Sequence, residues 1–255
     1  MGPSGSVGYQ TMISVEQLCL GSTAAPALSD ISFELQPGER CGLIGPPESG
    51  KSVLLKVVAG LIEPTAGSIR SHGETLNYAD ESGLSDWQRN VGMAFQNDAL
   101  FDSMSVFENV AFPLRRRAVD ETEIQERVLK RLDDVGLKDA SKKFPGDISG
   151  GMRKRVGIAR ATIAEPKIGL FDEPTAGLDP LTSELTLELI VKQSSRLKAP
   201  TLIVSNDLAV LFPVCERVIM LHEGCVVFDG TVEAISVSEV PVVKQFLQGA
   251  DSGPL

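Results

Sequence analysis

The residues with the clearest chemistry are Gly45-Pro46-Pro47-Glu48-Ser49-Gly50-Lys51-Ser52, which fit G-x-x-x-x-G-K-[ST], the pattern of a phosphate-binding loop. Successive backbone N–H groups in such a loop form an anion-binding nest, and a helix that starts there adds the positive end of its dipole. Lys51 is expected to reach the β- and γ-phosphates of a nucleotide, and the Ser52 hydroxyl to bind Mg²⁺. The interior of the loop is unusual, because Pro46, Pro47 and Glu48 are odd residues to wrap around a polyphosphate.

The motif needs a strand before it and a helix after it, and the sequence supplies both. Cys41-Gly42-Leu43-Ile44 is a short apolar run of the buried-strand type, and residues 53–61 are apolar with Lys56 on one face. Upstream, Ile13 to Leu20 and Ser32 to Leu35 read as strands, and Pro37-Gly38-Glu39 as the turn into the loop strand. Gly67-Ser68-Ile69-Arg70 and the segment to Tyr78 read as a short hairpin. Val91 to Phe95 reads as a strand that stops at Gln96, followed by a loop and a short helix from Asn97 to Asn109. Residues 120–135 carry a helical apolar stripe, Ile124, Val128, Leu129, Leu132 and Val135, with acids in the first turn where the dipole favours them. Arg153 to Ile163 reads as a helix, Ile168 to Phe171 as a strand ending in Asp172-Glu173, and Leu181 to Leu197 as a helix. Thr201 to Val204 reads as a strand ending at Ser205-Asn206-Asp207. Val218 to Leu221 and Cys225 to Phe228 bracket Glu223-Gly224 as a hairpin, and Val242 to Leu247 is a last short helix. The expected class is α/β: a P-loop NTPase (RecA-like) core, an N-terminal antiparallel β region and an inserted α-helical subdomain. We expect one domain over 1–255, with the core at about 11–96 and 153–240, the helical subdomain at about 97–152 and a C-terminal tail at 241–255.

The bulk properties narrow the function. The 255 residues are 42% hydrophobic, enough for a sizeable core, and carry a formal net charge of −10, which argues against broad nucleic-acid binding. The four cysteines form no C-x-x-C pair and no metal spacing with the two histidines, so reduced, buried thiols are expected. No apolar run approaches the ~18 residues of a membrane span. The first ten residues read as a floppy leader without the regions of a signal peptide, although Met1-Gly2-Pro3-Ser4-Gly5-Ser6 fits the loose myristoylation pattern. Arg115-Arg116-Arg117 reads as a solvated surface run, with a contact to lipid headgroups or a partner subunit as the sharper alternative.

Read together, the phosphate loop, Gln96, Ser149-Gly150-Gly151, Asp172-Glu173, Ala176-Gly177-Leu178-Asp179 and Ser205-Asn206-Asp207 stand in one order. Alone, Ser149 is a good helix N-cap, Asp172-Glu173 an acidic turn and Gln96 a surface amide. In this order they resemble the nucleotide-binding subunit of ABC transporters over almost the whole chain. The resemblance implies ATP and Mg²⁺ as ligands. It implies that Ser52, Gln96 and Asp172 serve the metal, that Glu173 polarises the attacking water as general base, and that Gln96 also lies at the hinge to the helical lobe. It implies that Ser149, Gly150 and Gly151 take the γ-phosphate of an ATP held by a second copy of the chain, with Gly177 and Asp179 lining that interface.

A narrower resemblance, to the Mla-type (lipid asymmetry) ATPases, rests on residues 95–110, the Ser149-Gly150-Gly151-Met152 form of the signature and the tail at 243–249. It implies a multispanning permease partner that moves phospholipid. It places the protein on the cytoplasmic face of the inner membrane, with a lipid-domain binding protein and a STAS-type accessory protein as further partners. The apolar surface of the lobe, with Phe101 and Phe107, is either the permease's docking site or lobe core. Four positions depart from the family pattern. Asn206 replaces the switch histidine and cannot be a cation. Pro47 removes an N–H from the nest, and Glu48 stands where a positive φ and a glycine are usual. Leu20 stands where an aromatic normally stacks on adenine, a loss of about 1–3 kcal/mol if base stacking is a guide. These departures predict weak nucleotide affinity and slow turnover. The alternatives are a degenerate nucleotide-binding subunit with little hydrolysis, a soluble ABC protein of translation or DNA repair, and an ABC ATPase serving an amino acid or a metal.

Overall fold

The computed structural model describes residues 13–22, 25–71 and 73–249. The leader at 1–10 with its Gly2 pattern, His72 and the end of the tail lie outside the described residues. Two sheets carry the core. The larger has six strands in the order β10-β9-β3-β8-β7-β6, formed by β3 (Arg40–Ile44), β6 (Val91–Ala94), β7 (Ile168–Asp172), β8 (Thr201–Val204), β9 (Arg217–His222) and β10 (Cys225–Thr231). β3 lies between β8 and β9 and runs parallel to both, and β7 runs parallel to β8 and β6; only β10 is antiparallel. Apolar residues occupy both faces of β3, β7 and β8, as a sheet covered on both sides requires. Because these strands run one way, the loops after Ile44, Ala94, Asp172 and Val204 all leave from one edge, where ligands of parallel α/β sheets bind.

The smaller sheet is antiparallel, in the order β2-β1-β4-β5, from β1 (Ile13–Ser22), β2 (Ala25–Leu35), β4 (Ala66–Ser71) and β5 (Glu74–Thr75). β2 extends seven residues further back than the expected Ser32 start, because Leu28 and Ile31 face the buried core as well. The two sheets meet at the Glu223-Gly224 turn between β9 and β10. There the Gly224 carbonyl accepts Ser29 N–H at 2.8 Å, and its own N–H donates to Ser49 O at 3.3 Å. At φ +74, with a hypothetical Cβ 2.9 Å from Ala27 O, this turn position admits only glycine.

Helix α1 (Lys51–Val58) follows the phosphate loop. Its open C-terminal carbonyls are taken by side chains: Tyr78 Oη donates to Val57 O at 3.1 Å, and Trp87 Nε1 to Val58 O at 2.9 Å. Trp87 comes from α2 (Glu81–Asn90), a helix the sequence pattern did not announce. With no buried residue of its own and only Leu84 and Trp87 packed on the core, α2 has too little stripe to be read as amphipathic.

The lobe consists of α3 (Val106–Arg115) and α4 (Glu121–Asp134) packed on α5 (Gly150–Thr162). A capping box of Ser105 and Glu108 starts α3, which runs on through Pro113 rather than ending near Asn109. Asp120 caps α4. Val110, Leu114, Ile124, Val128 and Leu132 form an apolar cluster with Val156, Ala159 and Ile163 of α5, while Ile158 and Ala161 of α5 join a second cluster with Ile44 and Phe171. One helix therefore roots the lobe and packs on the core. The basic run is only partly solvated. Arg115 pairs with Glu121 at 2.8 Å and Arg116 is exposed, but Arg117 is half-buried and donates to the carbonyls of Arg89 and Ala164. The chain continues through α6 (Pro180–Leu197), α7 (Leu208–Leu211), α8 (Val232–Ser236) and α9 (Pro241–Gln248). Leu132 is fully buried at the centre of the lobe cluster. Leu132→Ala is expected to lower stability by about 2–5 kcal/mol in urea unfolding; a loss below the Ile→Val range would show that the lobe does not pack as described.

Candidate functional site

The loop from Gly45 to Ser52 wraps the start of α1. Gly45, at φ +142, has the Leu221 carbonyl only 2.1 Å from where a Cβ would stand, so β9 passes hard against the loop and only glycine fits. Ser49 N–H closes a turn onto Pro46 O at 3.3 Å, and Gly50 caps the helix. Pro46 and Pro47 contribute no N–H, so the donors of the nest come from residue 48 onward. Glu48 adopts the expected left-handed conformation, φ 63, and is exposed. Lys51 is buried, with Nζ 2.8 Å from Gly45 O, 2.7 Å from Pro46 O and 3.3 Å from Ser49 Oγ. Burial lowers its pKa, opposed by the charges of Glu173 and Asp172.

Ser52 and Asp172 meet where α1 starts and β7 ends: the Ser52 hydroxyl donates to Asp172 Oδ1 at 3.0 Å. Asp172 and Glu173 are both buried, and burial raises both carboxyls above their ordinary values. The Ser52 bond is the main opposing influence on Asp172, and the Asn206 backbone N–H, 3.4 Å from Glu173 Oε2, on Glu173. Glu173 sits in the left-handed region, φ 48, and its Oε1 is buried without a hydrogen-bond partner. A buried, unpartnered carboxylate oxygen beside a hydroxyl–carboxylate pair suits a site that receives water and a hard cation. Among the described residues no group of three or more His, Cys, Asp or Glu side chains could cage a metal.

The other expected residues lie around this centre in two sets. Gln96 is exposed just past β6, on the same sheet edge, and its carbonyl accepts from Lys154. Asn206 is exposed past β8 and meets Glu173 through its backbone. Leu20 pairs with Leu28 across β1 and β2, beside the Ala27 carbonyl that abuts Gly50. It packs partly into the core rather than presenting a ring. The second set lies at the starts of α5 and α6. Ser149 caps α5 by accepting Met152 N–H at 3.3 Å, and it and Gly150 are exposed while Gly151 lies against Thr182 and Leu178. Asp179 caps α6, accepting Thr182 N–H at 3.0 Å and Thr182 Oγ1 at 2.7 Å, bonds that hold its carboxyl below the ordinary value. No hydrogen bond or ion pair among the described residues joins 149–151 to 45–52. Two residues that the sequence reading passed over stand between the sets: Lys154 and Asp98. Lys154 lies in the helix read at 153–163, and the carbonyls that fix it come together only in the fold.

A parallel-sheet core with this loop, this carboxylate pair and an inserted helical lobe defines a P-loop ATPase cassette. The ABC transporter family matches residues 28–176, and the chain belongs to that family as an ATP-binding, ATP-hydrolysing subunit. It is 38% identical over 256 residues to the Mycobacterium leprae protein named "Probable ribonucleotide transport ATP-binding protein mkl", covering all of this chain and 74% of that one; it spans 63% of other mycobacterial proteins of that name. It is 37% identical over 228 residues to the methionine import ATP-binding protein MetN of Carboxydothermus hydrogenoformans, covering 89% of this chain and 68% of that one. It is also 37% identical over 250 residues to the chloroplastic protein TRIGALACTOSYLDIACYLGLYCEROL 3 of Arabidopsis thaliana, covering 89% and 71%. The dimeric structure of the ATP-binding cassette MJ0796 in a post-hydrolysis state, bound to ADP and Pi, superposes with a TM-score of 0.81 at 28% identity, covering 87% of this chain and 99% of that one. The comparisons reach the broader family, and the relatives' names point to several cargoes.

The left-handed Glu48 carries strain of about 1–2 kcal/mol that glycine would not. Glu48→Gly is expected to raise the melting temperature by relieving that strain and, by removing a negative charge near the phosphates, to tighten ATP binding about fivefold, the equivalent of ~1 kcal/mol, in a fluorescent-nucleotide titration. Unchanged affinity would remove Glu48 from the account of nucleotide binding.

Proposed function

We propose that two copies of this chain hydrolyse ATP at composite sites and drive a membrane permease whose cargo is a lipid. The single observation that carries the catalytic reading is the Ser52–Asp172 pair at 3.0 Å beside the unpartnered Glu173 Oε1. Ser52, Asp172 and Gln96 would hold Mg²⁺, which supplies charge neutralisation on the phosphates. Lys51 and the loop N–H groups orient the β- and γ-phosphates. Glu173 orients and deprotonates the attacking water, and the Asn206 amide reaches the γ-phosphate as a neutral donor. Ser149, Gly150, Gly151 and Asp179 complete the site of the second copy. The exposure of Ser149, Gly150 and Asp179, and the lack among the described residues of any hydrogen bond or ion pair from 149–151 to the loop of their own chain, support this division, as does the dimeric form of the similar cassette.

The permease reading rests on a cavity of about 310 Å³ between the core and the lobe, lined by Leu61, Met93, Phe95, Phe101, Phe112 and Pro113. Phe101 is 40% exposed there, its ring tilted at 53° to that of Phe112 with centroids 4.8 Å apart, whereas Phe107 packs against the lobe cluster. Among the described residues no helix is long and apolar enough to cross a membrane, which fits attachment to the inner membrane's cytoplasmic face through the permease. The lipid cargo, with a lipid-domain binding protein and a STAS-type protein as accessories, is supported by the sequence of 95–110 and by the relative named for a galactolipid; the relatives named for ribonucleotide and methionine transport are the competing cargoes.

Glu173→Gln is expected to cut single-turnover hydrolysis at least about a hundredfold while leaving ATP-dependent dimerisation in size-exclusion chromatography. Surviving hydrolysis would show that the base lies elsewhere. The second reading, a subunit with little useful hydrolysis, is favoured by Glu48 and Asn206. Asn206→His is expected to raise turnover in the assembled transporter about tenfold, the worth of one charge-assisted hydrogen bond; an unchanged or lower rate would mean that Asn206 does not limit turnover.

A further inference from the structure

Lys154 is a buried cation in an arrangement that the assigned roles leave unused. Its side chain is 9% exposed, and it lies on α5, five residues after the capping Ser149. Its Nζ meets three acceptors from two other elements. It donates to the Gln96 carbonyl and, at 3.4 Å, to the Glu173 carbonyl, and it stands 3.5 Å from Asp98 Oδ1. An ammonium has three donors, and all three have a place to go. Asp98 is held in turn. It adopts φ 62, its Oδ1 is buried with this ion pair and no well-formed hydrogen bond, its Oδ2 is 3.7 Å from Arg153 Nε, and its carbonyl accepts Arg160 Nη2 at 2.9 Å. One helix face thus grips the loop at 96–98 at three points, and through Lys154 alone it also holds the backbone of Glu173.

We propose that Lys154 is a positioning residue that ties α5, and with it Ser149–Gly151, to the backbones of Gln96 and Glu173. This inference rests on the reading of Glu173 as the base. Contact of a second copy's nucleotide with Ser149–Gly151 displaces the start of α5, and Lys154 passes that displacement to the Gln96 and Glu173 of its own chain. Each composite site is thereby made to sense the other through a single side chain. The compact head of lysine suits acceptors from three directions, whereas the planar fork of arginine suits a bidentate partner.

The test uses the full chain with Lys154→Met, Lys154→Arg, Asp98→Asn and the double variant Lys154→Met/Asp98→Asn. Hydrogen exchange without nucleotide reads the tie directly, because the amides of Asp98, Ala99 and Ala176 bond to Phe95 O, Asn97 O and Glu173 O. Lys154→Met is expected to lower protection at 96–99 and at 173–176 together, by about tenfold, with the β3, β8 and β9 peptides unchanged. In single-turnover hydrolysis kcat is expected to fall about tenfold or more, with the nucleotide Kd within about threefold of wild type. Lys154→Arg is expected to restore the melting temperature but not kcat, and Asp98→Asn to add no further loss to Lys154→Met. Unchanged exchange at either segment overturns the proposal, and so does full recovery of kcat by arginine. Glu173→Gln run alongside separates the failures. If it is inactive while Lys154→Met turns over normally, the tie is wrong and the base stands. If it stays active, the base is wrong, and the exchange data still decide the tie.

Discussion

The site depends on burying two adjacent carboxylates at the end of one strand. Asp172 and Glu173 are withdrawn from water, and burial raises the pKa of both. Adjacent buried acids are costly unless charges and donors offset them. The surroundings supply the Ser52 hydroxyl, the Asn206 N–H, and the charges of Lys51 and Lys154. Ser52 and Lys51 come from α1, Asn206 from the loop after β8 and Lys154 from α5, so β7, β8, α1 and α5 must all meet at one edge. The parallel order of the sheet meets that requirement, and the antiparallel sheet braces the loop from outside.

The same balance explains why the loop tolerates Pro46, Pro47 and Glu48. Lys51 is anchored on the carbonyls of Gly45 and Pro46 and on Ser49, contacts that do not depend on the N–H groups that proline lacks. Glu48 occupies an exposed position. The unusual residues therefore alter how the loop meets phosphate more than how it folds.

Much of this was legible in the sequence, for physical reasons that differ by residue. The phosphate loop and the Asp172-Glu173 strand end could be read because their residue types are tied to local backbone demands. Glu48 could be expected at positive φ for the same reason. Helix α2 could not be read, because it buries none of its residues and its value lies in Trp87 and Gln88 capping carbonyls near the end of α1. Arg117 and Lys154 were equally hidden. Their partners are backbone carbonyls distant in sequence, to which composition and periodicity are blind. The lobe's Phe101 and Phe107 had two readings each, and they divided: one lines the cavity and one enters the cluster.

The Glu223-Gly224 turn has a consequence for how the chain can be rearranged. A hairpin tip between two strands is ordinarily where insertions, tags or new termini are tolerated. Here the tip is a rivet between the two sheets, with Gly224 bonded to Ser29 on one side and to Ser49 of the phosphate loop on the other. Lengthening it by one residue would pull the loop off its brace.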